Sequence, residues 1–137
     1  MKDKVFVYGT LLIPAVMEAV TGKSFKSTPA CLQGYARFRL KERVYPGITQ
    51  VPDRSVAGCV YHGIDRHALD LIDVFEADEY RRKRLTITAD DGERMSAYTY
   101  VITPSHSMLL TNQDWDIDNF VKQHLSEYLQ RINKFEV

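Results

Sequence analysis

Cysteine and long apolar runs are both scarce in this sequence of 137 residues. The only two cysteines, Cys31 and Cys59, lack Cys-x-x-Cys spacing, which excludes a disulfide framework or a cysteine-based zinc site. No apolar run approaches the roughly 20 residues that a membrane-spanning helix needs. Residues 1–4 lead into a short strand without the apolar core of a secretion signal. We therefore expect a soluble, cytoplasmic protein with reduced thiols and no membrane partner.

An excess of positive charge is also missing. Lys+Arg and Asp+Glu both number 18, whereas nucleic-acid binders usually carry a clear basic excess, so we expect no nucleic-acid partner. The basic cluster at 81–84 is interpreted as a solvated strand edge. The sequence has no Gly-x-Ser-x-Gly motif and no Cys-His arrangement for nucleophilic catalysis. Metal binding is not expected either, because metal-ligand spacing is lacking among the histidines His62, His67, His106 and His124.

Length and composition fit one domain over residues 1–137. Hydrophobic residues make up 45% and charged residues 26%, as in ordinary globular proteins. Strands are predicted within 30–51 and at 56–61, 84–88 and 95–101, and Asp91-Gly92 predicts a hairpin between the last two. Regular strand-helix-strand alternation is missing. We therefore predict the α+β class, with a mainly antiparallel, barrel-like sheet and flanking helices.

Three other signals refine this prediction. Gly58 indicates a bulge or a close backbone contact, and Tyr45-Pro46-Gly47 indicates a turn or bulge whose aromatic can line a pocket. The region 103–114 is interpreted as a surface loop. One final helix, capped by Asp116 or Asp118, is predicted to cover the sheet, with His124 on its apolar face as a hydrogen-bonded core histidine.

Glu76 follows a helix predicted over about 66–75, with Asp65 as its N-cap. The spacing of Ala68, Leu71, Ile72 and Phe75 predicts a buried stripe, with Asp70 and Asp73 on the wet face. Glu76 falls at the edge of that stripe, against the core. The pattern leaves two interpretations of Glu76: a partly buried carboxylate that transfers protons, or a residue at the end of the helix that is paired with Arg81 or Arg82.

The stretch from Val5 to Leu12 combines a buried strand with an unusual ending. Its apolar, β-branched and aromatic residues predict a strand that breaks at Gly9, and Pro14 opens a short helix. Such a turn exposes successive backbone N–H groups that can bind a small carboxylate. We therefore interpret Tyr8, Gly9, Thr10 and Leu11 as a candidate carboxylate-binding turn, with Tyr8 either a core aromatic or a pocket wall.

Three stretches together resemble the γ-glutamylcyclotransferase-like superfamily, most closely its AIG2-like branch. They are Phe6-Val7-Tyr8-Gly9-Thr10-Leu11, Val44-Tyr45-Pro46-Gly47-Ile48, and Leu71-Ile72-Asp73-Val74-Phe75-Glu76 followed by Tyr80-Arg81-Arg82. The segment 34–38 and the end of the chain from Trp115 also look AIG2-like. Two departures stand out. Many members have Gly where this chain has Ala77, and glutathione-pathway relatives often carry Tyr-Gly-Ser-Asn where this chain has Tyr-Gly-Thr-Leu.

The resemblance implies a small β-barrel with external helices, and an enzyme that releases 5-oxoproline from γ-glutamyl compounds. It implies that residues 8–11 bind substrate and that Glu76 is the catalytic acid/base, with no cofactor and no metal. Tyr45 is a further candidate for the pocket wall, and Tyr80 is the candidate for a pocket hydroxyl. Glu79 is the rival to Glu76 as the catalytic carboxylate, but it is expected to be a strand-edge surface residue. Arg37 could neutralise a substrate carboxylate, but it is expected to be an exposed strand residue. We expect a small-molecule partner and a monomer or weak homodimer.

A second function remains open from the sequence. A non-catalytic member of the family would keep the pocket but use it to bind a small amino-acid-like ligand or a protein partner. Turnover of γ-glutamyl compounds separates the two, because only the enzyme forms 5-oxoproline.

Overall fold

A closed barrel of five strands forms the centre of the computed structural model, which describes residues 2–135. The strands are β1 (Asp3–Val7), β2 (Ser27–Arg39), β3 (Pro46–Ile64), β4 (Tyr80–Ala89) and β5 (Arg94–Ile102). The helices are α1 (Pro14–Thr21), α2 (Arg66–Glu76), α3 (Ile117–Gln123) and α4 (Leu125–Phe135). Short 3-10 segments span Thr10–Leu12, Ala77–Glu79 and Pro104–Leu109.

The barrel is mixed because of a single parallel pairing among the strands described. The strand order is β1-β3-β2-β4-β5, and β5 returns to β1 in parallel, with Val5 opposite Tyr98. The β1–β3, β3–β2, β2–β4 and β4–β5 pairs are antiparallel. This arrangement confirms the predicted α+β class with a small β-barrel and flanking helices.

Strand β1 separates two apolar cores. Val5 and Val7 belong to a cluster that includes residues of α1 and α2, whereas Phe6 and Tyr8 belong to a cluster with contributions from all five strands. Because successive side chains of a strand point to opposite faces, the first cluster lies beneath the helices and the second fills the barrel. The turn after Val7 therefore begins at the boundary between barrel and helices.

Gly58 allows β1 and β3 to approach closely. A Cβ atom at residue 58 would lie 2.1 Å from the carbonyl oxygen of Val7 and 2.9 Å from the ring of Phe6. No side chain fits that space. The predicted close backbone contact at Gly58 is confirmed, and it fixes the position of the last residues of β1.

Several local signals act as the sequence predicts. The Asp65 carboxylate accepts a hydrogen bond from the Ala68 amide at 2.8 Å and caps α2. Asp116 caps α3 in the same way, with bonds from the amides of Asp118 and Asn119. Asp91-Gly92 joins β4 to β5 as a hairpin, and Gly92 adopts φ 90°. Helix starts and tight turns are encoded locally, which explains why these predictions hold.

Three elements differ from the prediction. Pro46 does not form a turn but begins β3, a position where a missing N–H is tolerated, and β3 continues without a break to Ile64. The predicted surface loop at 103–114 contains the 3-10 segment Pro104–Leu109. The final helix is divided at His124, whose backbone leaves the helical region at φ −130°. The His124 ring is partly exposed beside Phe120 instead of being a hydrogen-bonded core group.

Candidate active site

The turn after β1 presents three consecutive amides with no acceptor in the described part of the chain. The 3-10 segment Thr10–Leu12 uses the amides of Leu12 and Ile13, which donate to the carbonyl oxygens of Gly9 and Thr10 at 3.0 and 3.1 Å. The amides of residues 9–11 precede this pattern and donate no hydrogen bond within residues 2–135, as expected at a helical start. These amides are therefore available to an external acceptor.

Gly9 holds this turn against the start of β3. A Cβ atom at residue 9 would lie 2.9 Å from Cγ and 3.0 Å from Cδ of Pro46. Pro46 is in turn tied to β4, because the Tyr80 hydroxyl donates to the Pro46 carbonyl oxygen at 2.5 Å. Two stretches that are distant in sequence thus form one rigid wall.

Glu76 is the last residue of α2 and faces the same space. No hydrogen bond to the Glu76 carboxylate is found among residues 2–135. Because every fully buried side-chain oxygen in that range has a hydrogen-bond partner, the Glu76 oxygens are not fully buried and are open to the adjoining cavity. Burial, followed by the negative charges of Glu79 and Asp73, raises the pKa of Glu76 from 4.5 to about 8. A carboxyl group with this proton affinity can both accept and return a proton near neutral pH.

A cavity of about 90 Å³ brings the turn and the carboxylate together. All of the candidates from the sequence border this cavity: Tyr8, Gly9, Thr10, Leu11, Tyr45, Glu76 and Tyr80. The remaining wall comes from Phe6, Val7, Pro46, Phe75, Ala77, Glu79, Tyr100 and Tyr128. The space therefore combines free amides, a single unpaired acid and a lining in which seven of fifteen residues are aromatic.

Several tyrosine hydroxyls bind backbone carbonyl oxygens around this cavity. Tyr8 donates to the Tyr100 carbonyl oxygen at 2.6 Å, and Tyr61 donates to the Leu11 carbonyl oxygen at 2.7 Å. Burial raises the pKa of Tyr8 and of Tyr80 well above 10, so both hydroxyls remain protonated donors. Tyr8 is both a core aromatic and part of the cavity wall. The prediction that Tyr80 supplies a pocket hydroxyl is wrong, because its hydroxyl is bound to the Pro46 carbonyl oxygen and only its ring borders the cavity.

Glu79 lies in the cavity wall, so its prediction as a strand-edge surface residue is wrong. Its carboxylate accepts a hydrogen bond from the Tyr45 hydroxyl at 2.5 Å and pairs with Arg43 Nε at 3.0 Å. The Glu79 side chain is only 17% exposed. The contact depends on a loop more than 30 residues upstream, and no local spacing in the sequence indicated it.

The periodicity predicted that Asp73 lies on the solvent-exposed face of α2, but its carboxylate is held by two other side chains. The Tyr100 hydroxyl donates to it at 2.6 Å and Arg82 Nη1 pairs with it at 2.9 Å. Arg82 therefore neutralises Asp73 and not Glu76, which leaves Glu76 without the arginine partner considered from the sequence. The free carboxylate of Glu76 depends on this division of partners.

Arg37 is also more enclosed than predicted. Its guanidinium donates to the Tyr8 carbonyl oxygen at 2.8 Å and pairs with both oxygens of Asp114 at 2.8 and 3.2 Å. With a side chain only 20% exposed, Arg37 supports the turn from outside the cavity. Its charge is committed to Asp114, so it does not face the space beside Glu76.

Ala77 adopts a backbone conformation that favours glycine. Its φ of 58° and ψ of −157° end α2 directly after Glu76, and an L side chain in this region is strained. The departure from glycine noted in the sequence therefore carries an energetic cost at the residue that orients the end of α2.

The described part of the chain lacks two further features. Residues 2–135 contain no group of three or more His, Cys, Asp or Glu side chains arranged to hold a metal ion. No helix in that range is both long and apolar enough to cross a membrane.

Comparisons with known proteins point to one family. The family model described as gamma-glutamyl cyclotransferase, AIG2-like, matches residues 5–117. Among curated proteins, AIG2-like protein C of Arabidopsis thaliana is 33% identical over 131 residues, which cover 95% of this chain and 76% of the relative. Protein AIG2 C of the same plant is 30% identical over 131 residues, covering 95% of this chain and 79% of the relative.

Solved structures give the same picture of the fold. A solution structure of an Arabidopsis thaliana protein matches with a TM-score of 0.72 and 28% identity, covering 98% of this chain and 90% of that protein. A structure named gamma-glutamyl cyclotransferase matches with a TM-score of 0.67 over 96% of this chain and 86% of its own. At 15% identity, the second match speaks for the fold alone.

Proposed function

Because the chain belongs to the gamma-glutamyl cyclotransferase, AIG2-like family, we propose that it is an enzyme that converts a γ-glutamyl amine or γ-glutamyl amino acid into 5-oxoproline and a free amine. Glu76 is the general acid/base, and the turn at 8–11 binds the α-carboxylate of the substrate. The observation that carries this proposal is the single cavity bordered by both the free amides of that turn and the unpaired Glu76 carboxylate.

The substrate contains its own nucleophile. Its α-amino nitrogen attacks the γ-carbonyl carbon, a five-membered ring closes, and the bond from that carbon to the departing amine breaks. Intramolecular reactions of this kind reach effective molarities of about 10⁵ M or more. The protein is therefore needed chiefly to hold the substrate folded and to move protons.

Glu76 supplies the proton transfers. As a carboxylate it accepts a proton from the α-ammonium, which frees the lone pair for attack, and it then returns a proton to the nitrogen of the departing amine. The two protons lost by the attacking nitrogen end on that amine, so no water or co-reactant is consumed. A pKa of about 8 for Glu76 lies close to that of ordinary α-amino groups, which makes transfer in both directions feasible.

The turn supplies binding and charge stabilisation. Amides of residues 9–11 donate to the α-carboxylate, and one of them pointed at the developing oxyanion would contribute about 3 kcal/mol to the transition state. The rings of Tyr8, Tyr45 and Tyr80 enclose the substrate and limit water. Tyr-Gly-Thr-Leu, in place of Tyr-Gly-Ser-Asn, resembles γ-glutamylamine-type and AIG2-like members and favours γ-glutamyl amines as the substrate class.

The test is a panel of γ-glutamyl amines and γ-glutamyl amino acids, with 5-oxoproline as the measured product. We expect turnover of at least one of them, and a loss of about 10²–10⁴ in kcat for Glu76→Gln. Asp70→Asn is the matched control, because Asp70 lies exposed on the same helix and forms a surface ion pair with Arg66. Ligand binding without 5-oxoproline from any substrate would favour the non-catalytic alternative, and an unchanged rate in Glu76→Gln would overturn the assignment.

A further inference from the structure

A second carboxylate stands in the cavity wall three residues after Glu76. Glu79 ends the 3-10 segment Ala77–Glu79, which follows directly after α2, and both acids border the same cavity. The Glu76 carboxylate accepts no hydrogen bond in the described part of the chain, whereas each Glu79 oxygen accepts one. The two acids therefore have different tasks in one site.

Two donors from another part of the chain fix Glu79. The Tyr45 hydroxyl binds one carboxylate oxygen at 2.5 Å, and Arg43 Nε binds the other at 3.0 Å. A bond to each oxygen prevents rotation of the carboxylate. The Tyr45 ring also packs beside the Tyr80 ring, with centroids 6.4 Å apart, so the donor itself is held in place.

We propose that Glu79, fixed by Tyr45 and Arg43, is a positioning residue that keeps a negative charge beside Glu76 and thereby sets how strongly Glu76 holds a proton. The proposal rests on the proposed function, since it concerns the same proton transfer. A fixed negative charge in a partly buried site disfavours a second one nearby. It also favours entry of the substrate's α-ammonium on the side of the cavity where Glu76 must deprotonate it.

The other titratable groups around Glu76 do not provide this effect as directly. Those that interact with it from neighbouring elements are Tyr8, Tyr80, Tyr100 and Tyr128, and Asp73 lies on its own helix. Burial raises the pKa of each of these phenols above its usual range, so they stay neutral. Asp73 is neutralised by Arg82. Glu79 borders the cavity that Glu76 faces, whereas Asp73 is not among the residues that line it.

A purely structural role for Glu79 makes a different prediction. If its bonds only fasten the 43–45 loop to the end of α2, then Glu79→Gln, which keeps an acceptor for Tyr45, would change stability or overall rate without moving any titration. The measurement must therefore follow the protonation of Glu76 and not only the activity.

The experiment compares Glu79→Gln with Asp78→Asn, which removes an exposed charge from the neighbouring residue. Carbon-13 NMR of the side-chain carboxyl carbons gives the titration midpoint of Glu76 in the protein without substrate, the signal being identified by its loss in Glu76→Gln. We expect Glu79→Gln to lower this midpoint by about one pH unit. The exposed charge of Asp78 is screened by solvent, so Asp78→Asn should leave it within about 0.2 units of wild type.

Arg43→Gln is a second variant, for which the titration midpoint of Glu76 should shift in the opposite direction. Removing the counter-charge leaves Glu79 more negative towards Glu76, so the midpoint should rise, and the half-exposed Arg43 side chain makes misfolding a smaller concern. In active protein, the acidic limb of kcat/KM should shift in the same directions. An unchanged Glu76 midpoint in Glu79→Gln, or a lowered one in Arg43→Gln, would overturn the proposal. Because the titration needs no substrate, the proposal can hold even where no γ-glutamyl compound is turned over.

Discussion

Replacing Glu76 by glutamine should make the folded protein more stable, and the gain should grow with pH. Folding raises the pKa of Glu76 from 4.5 to about 8. Below pH 4.5 the carboxyl group is protonated in both the folded and the unfolded chain, and it contributes no pH dependence. Between these two values the unfolded chain ionises first, so wild-type stability falls as pH rises. Above pH 8 the full penalty is present.

The size of the gain follows from the same pKa values. At about 1.4 kcal/mol per pH unit, the interval from 4.5 to about 8 corresponds to about 5 kcal/mol. Solvent reaches part of the Glu76 side chain and reduces this figure, so we expect Glu76→Gln to gain about 2–4 kcal/mol above pH 8. Retention of such a cost is typical of a group kept for function instead of stability.

Urea unfolding of wild type and Glu76→Gln at half-unit steps from pH 5 to pH 9 measures the difference. Glu18→Gln, an exposed change on α1, is the control and should show a small difference that does not vary with pH. A difference for Glu76→Gln that is flat across this range would refute the reasoning, because it would mean that the carboxyl group titrates alike in the folded and unfolded chain.

Three glycine-related predictions follow from the backbone. Ala77→Gly should raise the free energy of unfolding by about 1 kcal/mol, because it relieves the strained φ of 58°; a lower value would contradict the strain. Gly58→Ala should cost about 3 kcal/mol or more, because its Cβ atom would lie 2.1 Å from the Val7 carbonyl oxygen; an unchanged urea midpoint would contradict that contact. Gly9→Ala should lower kcat/KM about 10²-fold by displacing the turn from Pro46, with circular dichroism unchanged; wild-type kinetics would argue against a role for the turn.

Much of the fold follows from local signals. The Asp65 cap, the Asp91-Gly92 hairpin and the apolar β1 each depend on residues that are neighbours in sequence, and the structure has all three. The continuous β3 could not be predicted in this way. Its Tyr45-Pro46-Gly47 start has the composition of a turn, and the long pairing with β2 overrides that preference.

The residues of the candidate site also differ in whether local sequence patterns could predict them. Gly9 and Glu76 could be predicted as site residues because one lies in the Tyr-Gly-Thr-Leu turn and the other at the end of a helix whose spacing is clear in the sequence. Arg37, Asp73 and Glu79 were misjudged because their partners lie far away: Asp114, Tyr100 with Arg82, and Tyr45 with Arg43. A charged residue in a sequence looks solvent-exposed until the group that pairs with it is known.

A crystal structure of the protein with 5-oxoproline bound is the most direct test of the central claim. That claim is that one cavity binds the carboxylate of the γ-glutamyl group and also contains the Glu76 side chain that transfers protons. We expect the product carboxylate to accept hydrogen bonds from the amides of residues 9–11. The ring nitrogen should lie within hydrogen-bond distance of a Glu76 oxygen. Product held elsewhere, or held in the cavity with its nitrogen turned away from Glu76, would contradict the account.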